Sequence, residues 1–269
     1  MRIAAVQMDI VWEQPIENLR TAASRIAEAA DAGADLVVLP EMFSTGFSMK
    51  TAKTAEPAGG PIERFCGDQA RRHGLHLLGT KSARFQGKPQ NAALLFGPDG
   101  KLAAYQGKVH PFTFAGEHQH FQAADELSVT PVGSFRLATA ICYDLRFPEL
   151  FRALALGGAD LIVVPANWPQ DRMTAWSQLL IARAIENQCY VVGVNRVGRG
   201  GGLEYDGRSA VIDPLGEVLA TARGTEQLVV ADLDPDHLAD VRERFPFLPD
   251  ARKDLFPSLW PPQIRDPGN

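Results

Sequence analysis

Short apolar segments alternate with segments of helical spacing through the first half of the chain, and this alternation restricts the folds open to it. Residues 2–7 are strand-like. Behind Pro15, apolar side chains recur at the intervals of an amphipathic helix, and Gly33 marks its expected end. A strand over residues 35–39 follows. Strands that alternate with helices predict an α/β protein whose sheets are covered by helices.

The same patterns predict the remaining elements. Helices are expected at residues 62–72, 149–156, 173–188 and 235–243. Strands are expected at residues 75–79, 92–96, 102–105, 137–141, 161–165 and 190–194. Turns are expected where Pro, Asp and Gly cluster, at residues 98–100 and 213–216. Mixed strands around the second turn are expected to close the sheet.

Composition indicates one globular domain. The chain has 269 residues, of which 45% are hydrophobic, and this is enough for a large core. We expect a single domain over residues 1–269, with a Pro-rich tail from about residue 248. The 27 Lys and Arg residues against 32 Asp and Glu residues give a formal net charge of −5. Because there is also no basic run, nucleic acid and anionic membranes are not expected partners.

The cysteine count and the lack of long apolar stretches point to the cytoplasm. Three cysteines cannot all pair with one another, and no signal-peptide pattern is seen, so reduced thiols are expected. No stretch approaches the roughly 20 apolar residues of a membrane span. These features predict a soluble cytoplasmic protein.

Cys142 ends the apolar run at residues 137–141 and opens the segment Cys-Tyr-Asp-Leu-Arg-Phe-Pro. A strand that enters a sharp turn at a cysteine can present its thiol to a pocket. The backbone N–H groups of Tyr143 and Asp144 would then point at the oxyanion that forms when the thiol attacks a carbonyl. A single cysteine is weak evidence, however, because free cysteines are often inert core residues.

Two other strands end in ionisable side chains. The apolar run at residues 36–39 is followed by Pro40 and Glu41, and the strand at residues 102–105 leads to Lys108, just before a loop that contains Pro111. Taken alone, a Glu or Lys at a strand end is most often simply solvated. Together with Cys142, the two side chains indicate a catalytic set.

These three residues resemble the Glu-Lys-Cys set of the nitrilase superfamily of carbon-nitrogen hydrolases, whose members carry them in this order at strand ends. The resemblance extends from residue 2 to about residue 245. Its motifs are Leu-Pro-Glu-Met-Phe at 39–43, Gly-Lys at 107–108, Cys-Tyr-Asp-Leu-Arg-Phe-Pro at 142–148, Ala-Asn-Trp-Pro at 166–169, Ala-Arg-Ala-Ile-Glu-Asn-Gln at 182–188 and Asn-Arg-Val-Gly at 195–198. Within the superfamily the combination is most similar to bacterial omega-amidases, which hydrolyse the terminal amide of 2-oxo acid amides.

The resemblance implies a fold and an assembly. Members of the superfamily fold as a four-layer α-β-β-α sandwich. Their C-terminal segments often pack across a dimer, so we expect a homodimer to which the tail contributes. The resemblance also matches Glu117 to a second glutamate that many members carry after the lysine, where it positions the lysine and the substrate.

Amide hydrolysis explains why the three residue types are needed together. An amide is a poor electrophile with a poor leaving group, so the reaction needs a nucleophile, an oxyanion donor and a proton for the departing amine. Glu41 fits the base that takes the Cys142 proton, returns it to ammonia and then activates water against the thioester. Lys108 and the Tyr143 backbone N–H fit the oxyanion donors, and Lys108 should also favour the Cys142 thiolate.

The substrate contacts are expected on the same sheet edge. A 2-oxo dicarboxylic acid monoamide needs a cation for its distal carboxylate, and Arg172 is the candidate, with Trp168 and Phe47 as apolar walls. Arg146 and Glu149 are expected to brace the nucleophile turn as an ion pair. A structural role is also expected for a group on the helix at 173–188, namely Arg183, Glu186 and Asn187.

No cofactor or metal is expected. His118 and His120 form a His-x-His pattern, but no third ligand accompanies it. The glycine-rich segment at residues 198–202 lacks the context of a dinucleotide site and is predicted to be a surface turn.

Other functions stay open at this point. They are an amidase of the same superfamily that acts on deaminated glutathione or an N-carbamoyl compound, a nitrile hydrolase, and a catalytically silent binding protein. No single residue ranks 2-oxoglutaramate against 2-oxosuccinamate, since one methylene is worth only about 1–3 kcal/mol.

Overall fold

The computed structural model describes residues 1–84, 87–252 and 254–255. Its strands are β1 (Arg2–Gln7), β2 (Leu36–Val38), β3 (His76–Ala83), β4 (Gln90–Phe96), β5 (Leu102–Gly107), β6 (Val129–Val132), β7 (Phe135–Thr139), β8 (Leu161–Ala166), β9 (Tyr190–Asn195), β10 (Val197–Gly200), β11 (Leu203–Asp206), β12 (Ala210–Ile212), β13 (Val218–Thr221) and β14 (Gln227–Asp232). Its α-helices are α1 (Pro15–Asp31), α2 (Thr51–Thr54), α3 (Pro61–His73), α4 (Glu117–His120), α5 (Pro148–Leu156), α6 (Met173–Asn187) and α7 (Pro235–Arg244).

The strands form two six-stranded sheets of similar design. The first sheet has the order β14-β1-β2-β3-β4-β5, and the second has the order β13-β12-β9-β8-β7-β6. In each sheet three central strands run parallel, β1-β2-β3 in the first and β7-β8-β9 in the second, and antiparallel strands flank them. The carboxyl ends of the parallel strands therefore gather at one edge of each sheet, where ligands bind in open α/β sheets.

Alternating side chains separate two apolar clusters. Ile3 and Ala5 of β1 belong to a cluster that includes the second sheet, whereas Ala4 and Val6 pack toward α1 and α3. This alternation follows from the two-residue repeat of a strand, which sends successive side chains to opposite faces. Helices α5 and α6 cover the far side of the second sheet. The predicted four-layer α-β-β-α sandwich is confirmed.

The main helices begin and end near their predicted limits. α1, α3 and α5 each start with a proline. Proline suits the first helical turn because it lacks an N–H, and an N–H at that position would have no partner within the helix. α3 ends at Gly74, whose φ of 65° is the left-handed cap that glycine adopts without strain. The turn at residues 213–216 closes with a hydrogen bond of 3.0 Å from Gly216 N to Asp213 O.

Some segments differ from expectation. Residues 198–202, predicted as a surface turn, belong to the antiparallel hairpin of β10 and β11. The short helices α2 and α4 were not predicted. Of the predicted tail, residues 253 and 256–269 lie outside the described residues, and so does the contribution to a dimer expected of it. Within the described residues, none of the helices combines the length and apolarity that a bilayer span requires.

Candidate active site

The nucleophile candidate sits on a strained turn. Two residues separate the end of β7 from Cys142, which opens a short 3-10 helix with a φ of 50°. A positive φ costs a residue with a Cβ of the order of 1–3 kcal/mol and is common at active sites. Two hydrogen bonds close the turn, from Asp144 N to Ile141 O at 3.0 Å and from Ile141 N to Asp144 Oδ2 at 2.9 Å. The predicted sharp turn at Cys142 is therefore present.

This closure corrects one expectation for the oxyanion. The Asp144 N–H already donates to Ile141, so the prediction that it faces the oxyanion is wrong. The Tyr143 N–H has no acceptor among the described residues, because the first N–H groups of a helical turn have no partner within it. Tyr143 is the remaining backbone donor beside the thiol.

Glu41 lies just beyond β2 and is fully buried. Its Oε1 accepts from Lys108 Nζ at 2.9 Å and from Asn91 Nδ2 at 2.7 Å, while its Oε2 accepts from the Asn167 backbone N at 2.9 Å. Asn167 follows β8 of the second sheet, whereas Glu41 follows β2 of the first, so this hydrogen bond joins the two sheets. The strand-end position predicted for Glu41 is where the structure places it.

Lys108 is held between two glutamates. Besides Glu41, its Nζ lies 2.9 Å from Glu117 Oε2, and all three side chains are buried. Burial alone would lower the pKa of Lys108, but the charges of Glu117 and Glu41 outweigh it and hold that pKa above its usual value. Lys108 is therefore a fixed cation. Glu117, matched only by resemblance, lies in direct contact with it.

Cys142 faces this charged cluster as a protonated thiol. Burial, together with the charge of Glu41, raises its pKa well above the usual value, and Lys108 opposes the shift without cancelling it. The Sγ atom lies 3.9 Å from Asn167 O. Lys108 thus lowers the pKa of Cys142, as expected, but less than burial and Glu41 raise it. A base must still remove the proton before Sγ can attack.

A cavity of about 170 Å³ opens onto Cys142. Its lining includes Lys108, Tyr143 and the three predicted substrate contacts, namely Phe47, Trp168 and Arg172. The Arg172 guanidinium lies over the Phe112 ring at 5.3 Å, and its Nε donates to Asp171 at 3.2 Å. Cys142 and these five residues therefore line one cavity, and the predicted Glu41 and Glu117 contact one of them, Lys108.

Arg146 behaves differently from its prediction. No ion pair joins it to Glu149 in the described part of the chain, so the expected brace is wrong. Arg146 instead lines the cavity, with its guanidinium 4.8 Å from the centre of the Trp168 ring. A guanidinium in this position is available to a carboxylate ligand. Arg183 does brace the nucleophile turn, because its Nη2 donates to Leu145 O at 2.8 Å.

The remaining predicted structural residues lie on α6 beside Arg183. Glu186 accepts from Arg183 Nη1 at 2.9 Å, and Asn187 donates to the Arg183 carbonyl at 3.0 Å. His118 and His120 are exposed on α4. Within residues 1–84, 87–252 and 254–255, no group of three or more His, Cys, Asp or Glu side chains is arranged to hold a metal ion.

Sequence reasoning missed Asn91 and Tyr205. Asn91 Nδ2 donates to Glu117 Oε1 at 3.0 Å as well as to Glu41, so one amide joins the two glutamates. Asn91 lies inside β4, where no turn or motif marks it. Tyr205 lines the cavity from β11, which directly follows the glycine-rich segment predicted as a surface turn at residues 198–202. Asn167 belongs to the Ala-Asn-Trp-Pro motif at 166–169, but the motif alone did not indicate a role for this residue.

A buried thiol on a strained turn, with a buried carboxylate and a fixed ammonium beside it, defines a cysteine-dependent hydrolase site on a four-layer sandwich. A sequence profile described as carbon-nitrogen hydrolase matches residues 2–243. The chain belongs to the carbon-nitrogen hydrolase family, whose members act on carbon-nitrogen bonds.

Named relatives cover nearly the whole chain. The 2-oxoglutaramate amidase of Bacillus subtilis (strain 168) is 35% identical over 256 residues, which span 94% of this chain and 98% of that protein. Omega-amidase YafV of Yersinia enterocolitica is 38% identical over 257 residues, with coverages of 95% and 98%. This chain is thus similar over its length to amidases with those names.

Solved structures agree with the family. XC1258 from Xanthomonas campestris, a CN-hydrolase superfamily protein with an arsenic adduct in its active site, has a TM-score of 0.88 at 38% identity, covering 93% of this chain and 97% of that one. An amidase from Nesterenkonia sp. AN1 has a TM-score of 0.83 at 28% identity, with 96% of each chain covered. In that structure, of a glutamate-to-glutamine mutant, the acetamide moiety of fluoroacetamide is bound covalently to the active site cysteine.

Proposed function

We propose that this enzyme is an omega-amidase that hydrolyses the terminal amide of small 2-oxo dicarboxylic acid monoamides, 2-oxoglutaramate and 2-oxosuccinamate. The observation that carries the proposal is the buried contact of Glu41 with Lys108, at 2.9 Å, where Lys108 and Cys142 line the same small cavity. The relatives named 2-oxoglutaramate amidase and omega-amidase support the same substrate class.

In the proposed acylation each group has one part. Glu41 accepts the Cys142 proton as Sγ attacks the amide carbon. The carbonyl oxygen becomes an oxyanion, which the Lys108 ammonium and the Tyr143 N–H stabilise. The tetrahedral intermediate collapses when Glu41 returns the proton to nitrogen, the carbon-nitrogen bond breaks and ammonia leaves. A thioester on Cys142 remains.

Deacylation uses the same groups in reverse. Glu41 takes a proton from a water molecule, the resulting hydroxide adds to the thioester carbon, and Lys108 and Tyr143 again hold the oxyanion. The carbon-sulfur bond then breaks, the thiolate regains the proton from Glu41, and the 2-oxo acid leaves. Glu117, whose Oε2 lies 2.9 Å from Lys108 Nζ, keeps Lys108 in place as a cation in both steps.

The cavity fits a short substrate with one distal anion. Its volume of about 170 Å³ is below the roughly 300–1,000 Å³ typical of sites for larger ligands, which favours a short oxo acid amide over deaminated glutathione. Arg146 and Arg172 supply the cations for the carboxylate, while Phe47 and Trp168 enclose the methylene groups.

Ammonia release tests the proposal. The purified protein is incubated with 2-oxoglutaramate, 2-oxosuccinamate, glutamine and deaminated glutathione, with Cys142→Ala as the blank and Cys189→Ala as a matched control for loss of a buried thiol. We expect rapid release from the first two substrates that is absent in Cys142→Ala and retained in Cys189→Ala. Turnover of deaminated glutathione alone would keep the nucleophile and reject the substrate. Release only from carbamoyl compounds or nitriles would also reject it.

The roles of the charged residues are tested by substitution. Glu41→Gln and Lys108→Ala should each lower kcat by at least about 10²- to 10⁴-fold, the usual worth of a positioned acid-base group. Circular dichroism would check that the variants stay folded. Full activity in either variant would reject the assigned set.

A homodimer in the cytoplasm is part of the proposal. Ile185 of α6 packs against Gly216 in the turn at 213–216, and Ile185, Leu215 and Val218 are each about half exposed. Such a patch suits a contact between copies. All three cysteines are unpaired, as a reducing compartment requires. Light scattering should report a dimer for the wild type and for Ile16→Glu, an exposed control on α1, but a monomer for Ile185→Glu. A monomeric wild type would reject the dimer.

A further inference from the structure

Tyr205 forms a wall of the catalytic cavity from the β10-β11 hairpin, which lies outside both large sheets. Its ring rests on the guanidinium of Arg196, whose Cζ is 4.5 Å from the ring centre. Arg196 is fully buried, and its Nη2 donates to Asp9 Oδ1 and Ile10 O, both at 2.8 Å. An aromatic ring supported by an anchored cation keeps its orientation. Tyr205 is therefore a rigid part of the cavity.

The Tyr205 hydroxyl has a free hydrogen-bonding capacity. The residue is only 6% exposed, yet among the described residues no group pairs with its hydroxyl. The hydroxyl oxygen is not itself fully buried, so a water molecule in the cavity can reach it, and a ligand that enters the cavity can replace that water. Burial raises the pKa of Tyr205 to about 12, so at neutral pH the group is a phenol that can donate. Its position on the cavity lining makes a bound ligand the natural acceptor.

Tyr205 shares its cavity with the groups that would hold both ends of the substrate. Cys142 and Arg172 line the same cavity, and β11, which carries Tyr205, packs against the segment Gln170–Arg172. A substrate whose amide carbon is at Cys142 and whose carboxylate is at the arginines therefore lies in the cavity that Tyr205 lines. In a 2-oxo dicarboxylic acid monoamide, the oxo oxygen is the sole polar atom between the amide and the carboxylate.

We propose that Tyr205 donates a hydrogen bond to the 2-oxo oxygen of the substrate and so selects 2-oxo acid amides over amides that lack this group. The inference rests on the proposed omega-amidase function and adds the residue that reads the oxo group. A 2-amino group at the same carbon would instead bring an ammonium beside Arg146 and Arg172, and like charges disfavour it. Tyr205 is thus a specificity residue.

Removal of one hydroxyl tests this. kcat/KM is measured for wild type, Tyr205→Phe and Tyr105→Phe with 2-oxoglutaramate and with glutaramate, the same amide without the oxo group. Tyr105 donates to Gln90 at 2.8 Å outside the catalytic cavity and controls for loss of a tyrosine hydroxyl. Tyr205→Phe should lower kcat/KM for 2-oxoglutaramate about 10-fold and leave glutaramate unchanged. Tyr105→Phe should leave both unchanged.

A binding measurement covers the case in which glutaramate turns over too slowly. In the Cys142→Ala background, Tyr205→Phe should weaken binding of the product 2-oxoglutarate about 10-fold but leave binding of glutarate unchanged. Equal losses for both ligands, or no loss for either, would overturn the role of Tyr205 while leaving the amidase function intact. A wild-type enzyme inactive on 2-oxoglutaramate would overturn the proposed function, and this inference with it.

Discussion

Two opposite charges act on the thiol of Cys142. Burial raises its pKa first, the charge of Glu41 raises it further, and the Lys108 ammonium lowers it. Since the net effect keeps the sulfur protonated at rest, the site stores no reactive thiolate. The nucleophile forms only when Glu41 can accept the proton, which protects the sulfur from chance electrophiles between turnovers.

Alkylation of Cys142 should separate the effects of these two charges on its pKa. In Glu41→Gln the anion is lost and Lys108 remains, so the pKa of Cys142 should fall and the pH midpoint of iodoacetamide alkylation should move down. In Lys108→Met the cation is lost and Glu41 remains, so the midpoint should move up. Mass spectrometry of the modified peptide against pH measures both shifts.

The other thiols provide the background for that measurement. Cys66 and Cys189 are buried, and burial raises the pKa of Cys189 to about 12, so Cys142→Ala should show little labelling near neutral pH. Midpoints that move in the same direction for both variants would contradict the opposing-charge account. Midpoints equal to that of the wild type would contradict it as well.

Residue-level prediction succeeded where a local signal existed. Glu41, Lys108 and Cys142 each follow a strand, so a position just beyond a strand end could be expected for each of them. Asn91 gives no such signal, because it reaches the glutamates through the pairing of β4 with β3 and β5. Arg146 was expected to pair with Glu149 and brace the nucleophile turn. Spacing in a turn does not fix the direction of a long side chain, and the guanidinium turns to Trp168 instead.

At the scale of elements, Asp144 joins the nucleophile turn to the segment after β5. Its carboxylate accepts from the backbone N of Ile141 at 2.9 Å and of His110 at 2.8 Å, and it also contacts the His110 ring at 2.8 Å. His110 stands two residues after Lys108. One buried carboxylate thus fixes the loop of the lysine relative to the turn of the cysteine.

Asp144→Asn should loosen this junction. An amide nitrogen in place of one oxygen would leave buried N–H donors unpaired, at a cost of about 1–3 kcal/mol in the free energy of unfolding. We expect a lower midpoint in urea and a reduced kcat, because Lys108 and Cys142 lose their fixed relation. Asp160→Asn, which removes a partly buried carboxylate bound to Arg242 away from the cavity, should lower stability without a comparable loss of kcat. Equal kcat losses in both variants would contradict a specific role of Asp144.

Element prediction was strongest for long periodic segments and weakest for the hairpin. α1, α3, α5 and α6 each bury one apolar stripe, and that period is visible in the sequence. The β10-β11 hairpin is short and rich in glycine. Gly200 and Gly201 lie against the ring of Trp12, which is distant in sequence, so local pattern could not reveal the hairpin or the position of Tyr205.

At the scale of the whole molecule, the active site is shared between the two sheets. Glu41 and Lys108 follow strands of the first sheet, whereas Cys142 and Asn167 follow strands of the second. The contact of 2.9 Å between Asn167 N and Glu41 therefore crosses from one sheet to the other. The apolar layer between the sheets sets the separation of the base and the nucleophile, and packing there should influence catalysis as well as stability.

Substitution of two adjacent leucines on β4 distinguishes the effect of packing on catalysis from its effect on stability. Leu95 faces the layer between the sheets and Leu94 faces α1 and α3, although each is 2% exposed. Either change to Ala should cost about 2–5 kcal/mol in the free energy of unfolding. Leu95→Ala should also lower kcat, because a change in sheet spacing moves Glu41 relative to Cys142. Leu94→Ala should keep kcat wherever the protein is folded. Urea denaturation measures the stability of the two variants, and kcat is measured at a temperature at which both are folded. Equal kcat values for the two variants would show that the site tolerates altered packing between the sheets.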